Sequence, residues 1–308
     1  MVKLTKPSHP HHAMKSPKTI VTKTIRHLLE KVVHITASVA TKPKNGVERI
    51  HRLRTETRRA DAALRLFIDW LPQHPADRLR QKLTDIRRKA SSVRDFDVLK
   101  PIIESLSDRL PVEAMEFLRD RAITMQKKRA NSLQRFCRRL IERRFERKVR
   151  ALTHRVVWRG GAVPLDPQNL CLSSVERLAE RFEKIVQSLS GDTNQLHAVR
   201  IQGRRIRYTL ELVQAMSLEF ATKPVCEQLT QLQDSVGHVN DEQSALRFLR
   251  ACQVECHDHA FAIDLERVVA AFEVTINEQM RIVIQNTLEQ AGNILARLRQ
   301  LIQVNETS

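Results

Sequence analysis

Glycine is scarce in this chain, with 7 in 308 residues, and aromatic rings make up only 4%. So little glycine argues against a hairpin-rich β fold, and the turn dipeptide Asn45-Gly46 sits between helical patterns. One Tyr, two Trp and ten Phe argue against binding single-stranded nucleic acid by base stacking. The five cysteines, at 137, 171, 226, 252 and 256, are odd in number and irregularly placed. That argues against a complete disulfide framework and points to a reducing, cytoplasmic setting. Residues 1–18 lack the apolar core of a signal peptide, and no uncharged run reaches membrane-spanning length. Glycine-rich phosphate loops, a nucleophile elbow and a dense carboxylate metal cluster are also missing from the sequence. No catalytic residue, cofactor or metal is therefore expected, and the chain reads as a binder rather than an enzyme.

What is abundant is positive charge. The formal net charge is +18 and the isoelectric point is about 10.3. The charge is unevenly spread: residues 1–150 carry 37 Lys and Arg against 16 Asp and Glu, and the remainder carries 16 against 19. A field of this kind draws anions and speeds their association. Nucleic acid is the usual first suspect for such a charge.

The same basic histidine motif occurs twice, 146 positions apart. His51-x-x-Arg54-x-x-x-Arg58-Arg59 returns as His197-x-x-Arg200-x-x-x-Arg204-Arg205. The offset also carries Leu64 to Leu210, Leu66 to Leu212 and Asp95 to Asp241 without a gap. A register this long indicates a duplicated unit.

The periodicity is helical almost throughout, so the chain reads as all-α. Residues 1–18 form a loose tail. Helices are expected at about 20–40, 47–70 and 77–90, with a short one from Arg94 and a long basic one from Pro111 to about Thr153. Gly160, Gly161, Pro164 and Pro167 mark a linker. The order then repeats, with helices near 173–190, 193–218 and 223–237, another from Asn240, and a terminal helix or pair ending near Ile302. Asp192 and Thr193, and likewise Asn240 and Asp241, are the residue types that cap helix starts.

On a helical wheel of about 100° per residue, Arg54, Arg58 and Arg65 fall within about 60° of His51. Leu53, Ala60, Leu64 and Phe67 fall opposite. In the second copy His197, Arg200, Arg204 and Arg207 cluster, Tyr208 lies beside His197, and Ile206, Leu210 and Val213 take the packing side. Each rail spaces guanidiniums about 5 Å apart along the axis. Arginine forks match phosphate oxygens with paired hydrogen bonds, so two rails facing one groove would suit regularly spaced phosphates. A histidine adds a ligand whose charge changes near neutral pH. A charge row on a single helix is usually only a solvated face; recurrence on an equivalent helix is what favours a site.

At these residues the chain resembles the CHAD family, the conserved histidine α-helical domain. The resemblance rests on the two His/Arg copies, on Val93-Arg94-Asp95-Phe96-Asp97, and on Leu232-Gln233-Asp234 with Gly237 and Asn240-Asp241. It spans roughly 20–302. It implies two four-helix bundles related by a pseudo-twofold, with basic faces lining a central groove that binds inorganic polyphosphate, and an association with polyphosphate granules. The units would be 19–159 and 169–303, joined by 160–168 and together forming one CHAD domain. The implied contacts are His51, Arg54, Arg58, Arg94, His197, Arg200, Arg204 and Arg207, with Arg59 and Arg205 as the second arginine of each pair. Arg65 and Tyr208 join them from the wheel. One departure stands out: Asp61 occupies the position that Arg207 fills in the second copy, and Arg65 stands where that copy has Glu211. Asp61 would pair with Arg58 or Arg65.

The alternatives are a basic helical protein that binds nucleic acid without sequence preference, and a phosphohydrolase or kinase acting on polyphosphate. The basic run over 112–153 reads either as a solvated face or as an extension of the anion surface. Asp95, Asp97 and Asp241 read as helix caps or arginine partners before a divalent-metal site. Cys252, Cys256, His257 and His259 match no common zinc spacing and read as a buried helix face. His9, His11 and His12 fall in the tail.

Overall fold

The computed structural model describes residues 16–41, 46–161, 166–190, 193–216, 222–256 and 259–306. The tail histidines, Asp192 and His257 lie outside these. All regular structure among the described residues is helical. The first half comprises α1 (Pro17–Thr41), α2 (Val47–Leu66), a 3-10 turn (Ile68–Trp70), α3 (Gln73–Glu104), α4 (Val112–Glu142) and α5 (Phe145–Thr153). The second comprises α6 (Pro167–Gln187), α7 (Thr193–Ala215), α8 (Lys223–Glu255) and α9 (Ala262–Glu306).

Apolar spacing decides which face of each helix goes inside. In α1, Val21, Ile25, Leu28, Leu29, Val32 and Ile35 recur at helical intervals and all are buried. In α2, Leu53, Ala60 and Leu64 are fully enclosed, as is Phe67 just beyond the helix. Ile206, Leu210 and Val213 do the same for α7. Helices α1 to α4 contact one another in a ring, and α6 to α9 do so in the same order. This arrangement is compatible with the duplication. The halves meet mainly where α2 faces α7 and α3 faces α8.

The core is divided differently from the ring pattern. One apolar cluster fills the first ring and takes in Leu170 and Cys171 of α6 and Leu212 and Val213 of α7, and another fills the second ring. A third joins the far ends of α3, α4, α8 and α9, from Leu99, Ile103 and Leu118 to Leu249, Cys252 and Leu265. At 31 to 45 residues and about 1.5 Å per residue, these helices outrun α1, α2, α6 and α7. Their protruding ends pack on one another and tie the halves together.

Several helix boundaries differ from the sequence expectation. The helices expected at 77–90 and from Arg94 are one helix, α3. Those expected at 223–237 and from Asn240 are likewise one, α8. Asn240 lies in mid-helix and donates from Nδ2 to the carbonyl of Val236 at 2.8 Å, so neither it nor Asp241 caps a start. The helix expected from Pro111 to Thr153 breaks at Arg144, which sits in the left-handed region at φ 55°. The terminal helix is single and spans 45 residues. Helix α6 begins at Pro167, inside the segment read as linker, where Asp166 Oδ2 accepts from the Gln168 amide at 2.9 Å.

Candidate functional site

With Leu53, Ala60 and Leu64 of α2 buried in one cluster and Val199, Ile206 and Leu210 of α7 in another, the two helices turn their cationic sides toward each other. Between them, floored by α3, α6 and α8, is a cavity of about 1160 Å³. All twelve sequence-selected residues line it: His51, Arg54, Arg58, Arg59, Arg65, Arg94, His197, Arg200, Arg204, Arg205, Arg207 and Tyr208. Five more arginines join them: Arg87 and Arg88 from α3, Arg177 and Arg181 from α6, and Arg247 from α8. Some of these had a legible signal. Arg87 precedes Arg94 by seven residues, two helical turns on the same face, and Arg177 and Arg181 are four apart. That α6 and α8 approach the rails is a tertiary fact. Among the described residues the lining holds fourteen arginines and no lysine, with five carboxylates: Asp61, Asp95, Glu211, Asp234 and Asp241.

The arginines divide by whether they have partners. Arg59 is tied down: its Nε donates to Glu211 at 2.9 Å, across the boundary between halves, and its Nη1 to Glu56 at 3.0 Å. These carboxylates raise its pKa against the opposing effect of burial. Arg207 donates to Thr230 Oγ1 at 3.0 Å, lies 5.0 Å from the centre of the Tyr208 ring, and has Glu211 at 3.7 Å. Arg94 pairs with Asp97 at 3.4 Å. Asp61 pairs with Arg65 at 3.1 Å, as one of the two sequence alternatives had it, and also with Arg80 at 3.3 Å and Arg87 at 3.8 Å; Arg58 is not among its partners. The departure at Asp61 thus keeps an ion pair with its polarity reversed. Asp61 with Arg65 in α2 occupies the positions of Arg207 with Glu211 in α7.

Arg54, Arg58, Arg200 and Arg204 are different. Among the described residues none of the four guanidiniums makes a hydrogen bond or ion pair. The Nε atoms of Arg54, Arg58 and Arg200 are buried without a partner. Burial, then the Arg58 guanidinium, lowers Arg54 to about 10. Burial, then Arg58 and Arg200, lowers Arg204 to about 9. Burial lowers Arg200 as well, opposed by Asp241. Four converging, partly desolvated cations with unspent donors are a standing demand for an anion. His51 and His197 are exposed at the edge of the cavity.

Gly237 of α8 makes room for this group. A Cβ built there would lie 2.9 Å from Nη2 of Arg200, so the glycine lets the guanidinium rest against the helix backbone. Asp95 and Asp241, one from each half, face the same arginines. Burial raises both carboxyl pKa values, opposed chiefly by Arg54 for Asp95 and by Arg200 for Asp241. Asp97 accepts from Gln126 Nε2 at 2.9 Å and pairs with Arg94. None of the three caps a helix. Among the described residues no group of three or more His, Cys, Asp or Glu could hold a metal ion. Cys252 and Cys256 are buried, the Cys252 thiol is pushed up to about 12 by burial, and His259 stacks on Phe261 at 5.0 Å. The basic run of α4 and α5 does not extend this cavity: none of its residues lines it. No described helix is long and apolar enough to cross a membrane.

The family model of the CHAD domain matches residues 22–250. No curated protein matches the chain significantly. Among solved structures, the CHAD domain from the plant Ricinus communis is similar, with a TM-score of 0.64 and 19% identity over 89% of this chain and 91% of that one. A second similar structure is PptA from Streptomyces chartreusis, with a TM-score of 0.67 and 17% identity over 90% of this chain and 99% of that one.

Proposed function

The chain belongs to the CHAD domain family, and from that premise we propose that it binds inorganic polyphosphate in the arginine-lined cavity and holds it without cleaving it. The observation that carries this reading is a set of four half-buried arginines, Arg54, Arg58, Arg200 and Arg204, two from each half, whose guanidiniums have no partner among the described residues and line one cavity. An orthophosphate ion satisfies a few guanidinium donors. A chain of phosphates satisfies those of both helices at once, and each further contact uses ordering already paid at the first. Among the described residues the permanently charged cations of the lining are all arginine, the residue whose planar fork gives two parallel hydrogen bonds to a phosphate. Exposed His51 and His197 would meet the chain where it leaves the cavity. The cellular setting that follows is the polyphosphate granule.

Nucleic acid bound without sequence preference would use the same charges. The concave placement of the unpaired arginines favours a thin, flexible polyanion over a duplex, whose phosphates lie on a convex surface. The test is a competition: displacement of labelled long-chain polyphosphate by orthophosphate, tripolyphosphate, long polyphosphate and duplex DNA at several salt concentrations. Affinity is expected to rise with phosphate chain length and to fall with salt, as counterion release requires. Equal displacement by orthophosphate and long chains, or tighter binding of duplex DNA, would overturn the proposal. Incubating long polyphosphate and Mg²⁺ with the protein, with and without nucleotide, is expected to leave chain length unchanged. Steady phosphate release lost on substitution of His51 and His197 would reveal an enzyme.

A further inference from the structure

A second cavity, of about 740 Å³, lies on the flank of the first half where α3, α4 and α5 meet. Its size is that of a small-molecule site. It owes its shape to the break at Arg144, which swings α5 away from the line of α4 and onto α1 and α3. A non-glycine residue held at positive φ is uncommon, and here it separates two strongly amphipathic helices. In the second half α9 runs unbroken through the corresponding place in the helix order. The cavity is therefore outside the repeated motif.

Its lining has two chemistries. One wall is apolar: Leu79 from α3, Phe136 and Leu140 from α4, Phe145 and Leu152 from α5. Around it, among the described residues, stand seven cations and no carboxylate. Only one of the seven, Lys82, has an acidic partner within 4 Å among the described residues, Asp85 at 3.8 Å. Lys89 is held over the Phe136 ring, 5.5 Å from its centre, and donates to Ser132 at 3.3 Å. Arg139, Arg143 and Lys148 are exposed beside the apolar wall. The central cavity is unlike this: its carboxylates are interleaved with arginines and its lining is predominantly polar.

These two chemistries select a ligand. A bare phosphate chain is hydrated along its whole length and gains nothing from a wall of leucine and phenylalanine. An uncharged apolar molecule leaves the cations uncompensated, and a cationic one is repelled. We propose that this cavity binds a single anionic amphiphile, with an alkyl or acyl chain against Leu79, Phe136, Leu140 and Leu152 and a phosphate or carboxylate head among Arg139, Arg143 and Lys148. The ligand enters as a monomer, since a cavity of this volume takes in one chain and not a bilayer surface.

The test is isothermal titration of the full chain with decyl phosphate below its micelle-forming concentration, in low salt. One site is expected. Charge reversal at two exposed positions, Arg143→Glu with Lys148→Glu, is expected to weaken binding at least tenfold while the circular dichroism melt is retained. Phe136→Ala is expected to weaken it several-fold. The Arg54→Ala, Arg200→Ala double variant, altered only in the central cavity, is expected to bind decyl phosphate as the parent does, so failure of this proposal and failure of the polyphosphate reading are distinguishable. Equal affinity for decyltrimethylammonium, displacement by an equal concentration of tripolyphosphate, binding to anionic vesicles without binding to monomers, or indifference to the double charge reversal would each overturn it.

Discussion

Replacing Arg204 with Met is expected to stabilise the unliganded protein and weaken its hold on polyanions. Arg204 is half-buried on α7 beside Arg58 and Arg200, and burial with that repulsion brings its guanidinium down to about 9. Each tenfold change in a protonation equilibrium is about 1.4 kcal/mol, so a cation this far below the ordinary arginine range costs on the order of 5 kcal/mol at neutral pH before screening by water. The sign follows from linkage. The folded-state value lies below the unfolded one, so the cost is complete below about pH 9 and is relieved as pH rises above it. Methionine keeps most of the side-chain length and removes the charge. Some contact with water and loss of the guanidinium's own packing offset part of the gain, leaving about 2 kcal/mol. For a chain of this size that is a rise in Tm of roughly 4 °C. The assay is differential scanning calorimetry at pH 7 in a buffer free of multivalent anions, repeated with excess long-chain polyphosphate. The variant is expected to melt higher than the parent without ligand and to gain less on adding it, because ligand-induced stabilisation follows affinity. A variant that melts below the parent without anion would refute the reasoning, since Arg204 would then be stabilising the fold rather than waiting for a ligand.

The two halves are both expected to contribute. Arg54→Ala with Arg58→Ala, and separately Arg200→Ala with Arg204→Ala, should each weaken polyphosphate binding at least tenfold with helicity unchanged by circular dichroism; a neutral pair would show that its half does not touch the ligand. Gly237→Ala should lower affinity several-fold with little change in Tm, because the added methyl meets Nη2 of Arg200 at 2.9 Å and the flexible side chain moves aside; unchanged affinity would mean that this seat of Arg200 is unimportant. Affinity measured from pH 8 to 10.5 should fall as Arg204, near 9, and Arg54, near 10, lose their protons. Binding at pH 9 should accordingly take up protons, seen as a buffer-dependent heat, and an affinity constant to pH 10.5 would contradict the lowered values.

Much of this was legible in one sequence, and for local reasons. Residues three, four and seven apart share a face of any α-helix, so His51, Arg54 and Arg58 must project together and away from Leu53, Ala60 and Leu64. The recurrence of the pattern at 146 residues identified the second cationic face and made a shared groove the natural expectation. What stayed hidden depends on neighbours distant in sequence. No local rule said that Ser91 and Ser92 would continue a helix, that Asn240 would bond back to Val236, or that the chain would turn at Arg144. The first two go with long helices whose far ends find partners in the third apolar cluster. Nor could spacing distinguish Arg59, spent on Glu211 and Glu56, from Arg54, which has no partner.

Helix content, the buried stripes and the two arginine rails were thus determined by the sequence alone, because each depends only on 3.6-residue periodicity and the burial of apolar side chains. Tertiary structure decided which arginines are free and which neutralised, that α6 and α8 complete the cavity, that the cationic run of α4 and α5 turns away from it, and that a second, apolar-walled cavity opens at the α4–α5 break. The physical reason is that charge pairing and desolvation depend on distances across helices from both halves, and those distances exist only once the halves have packed.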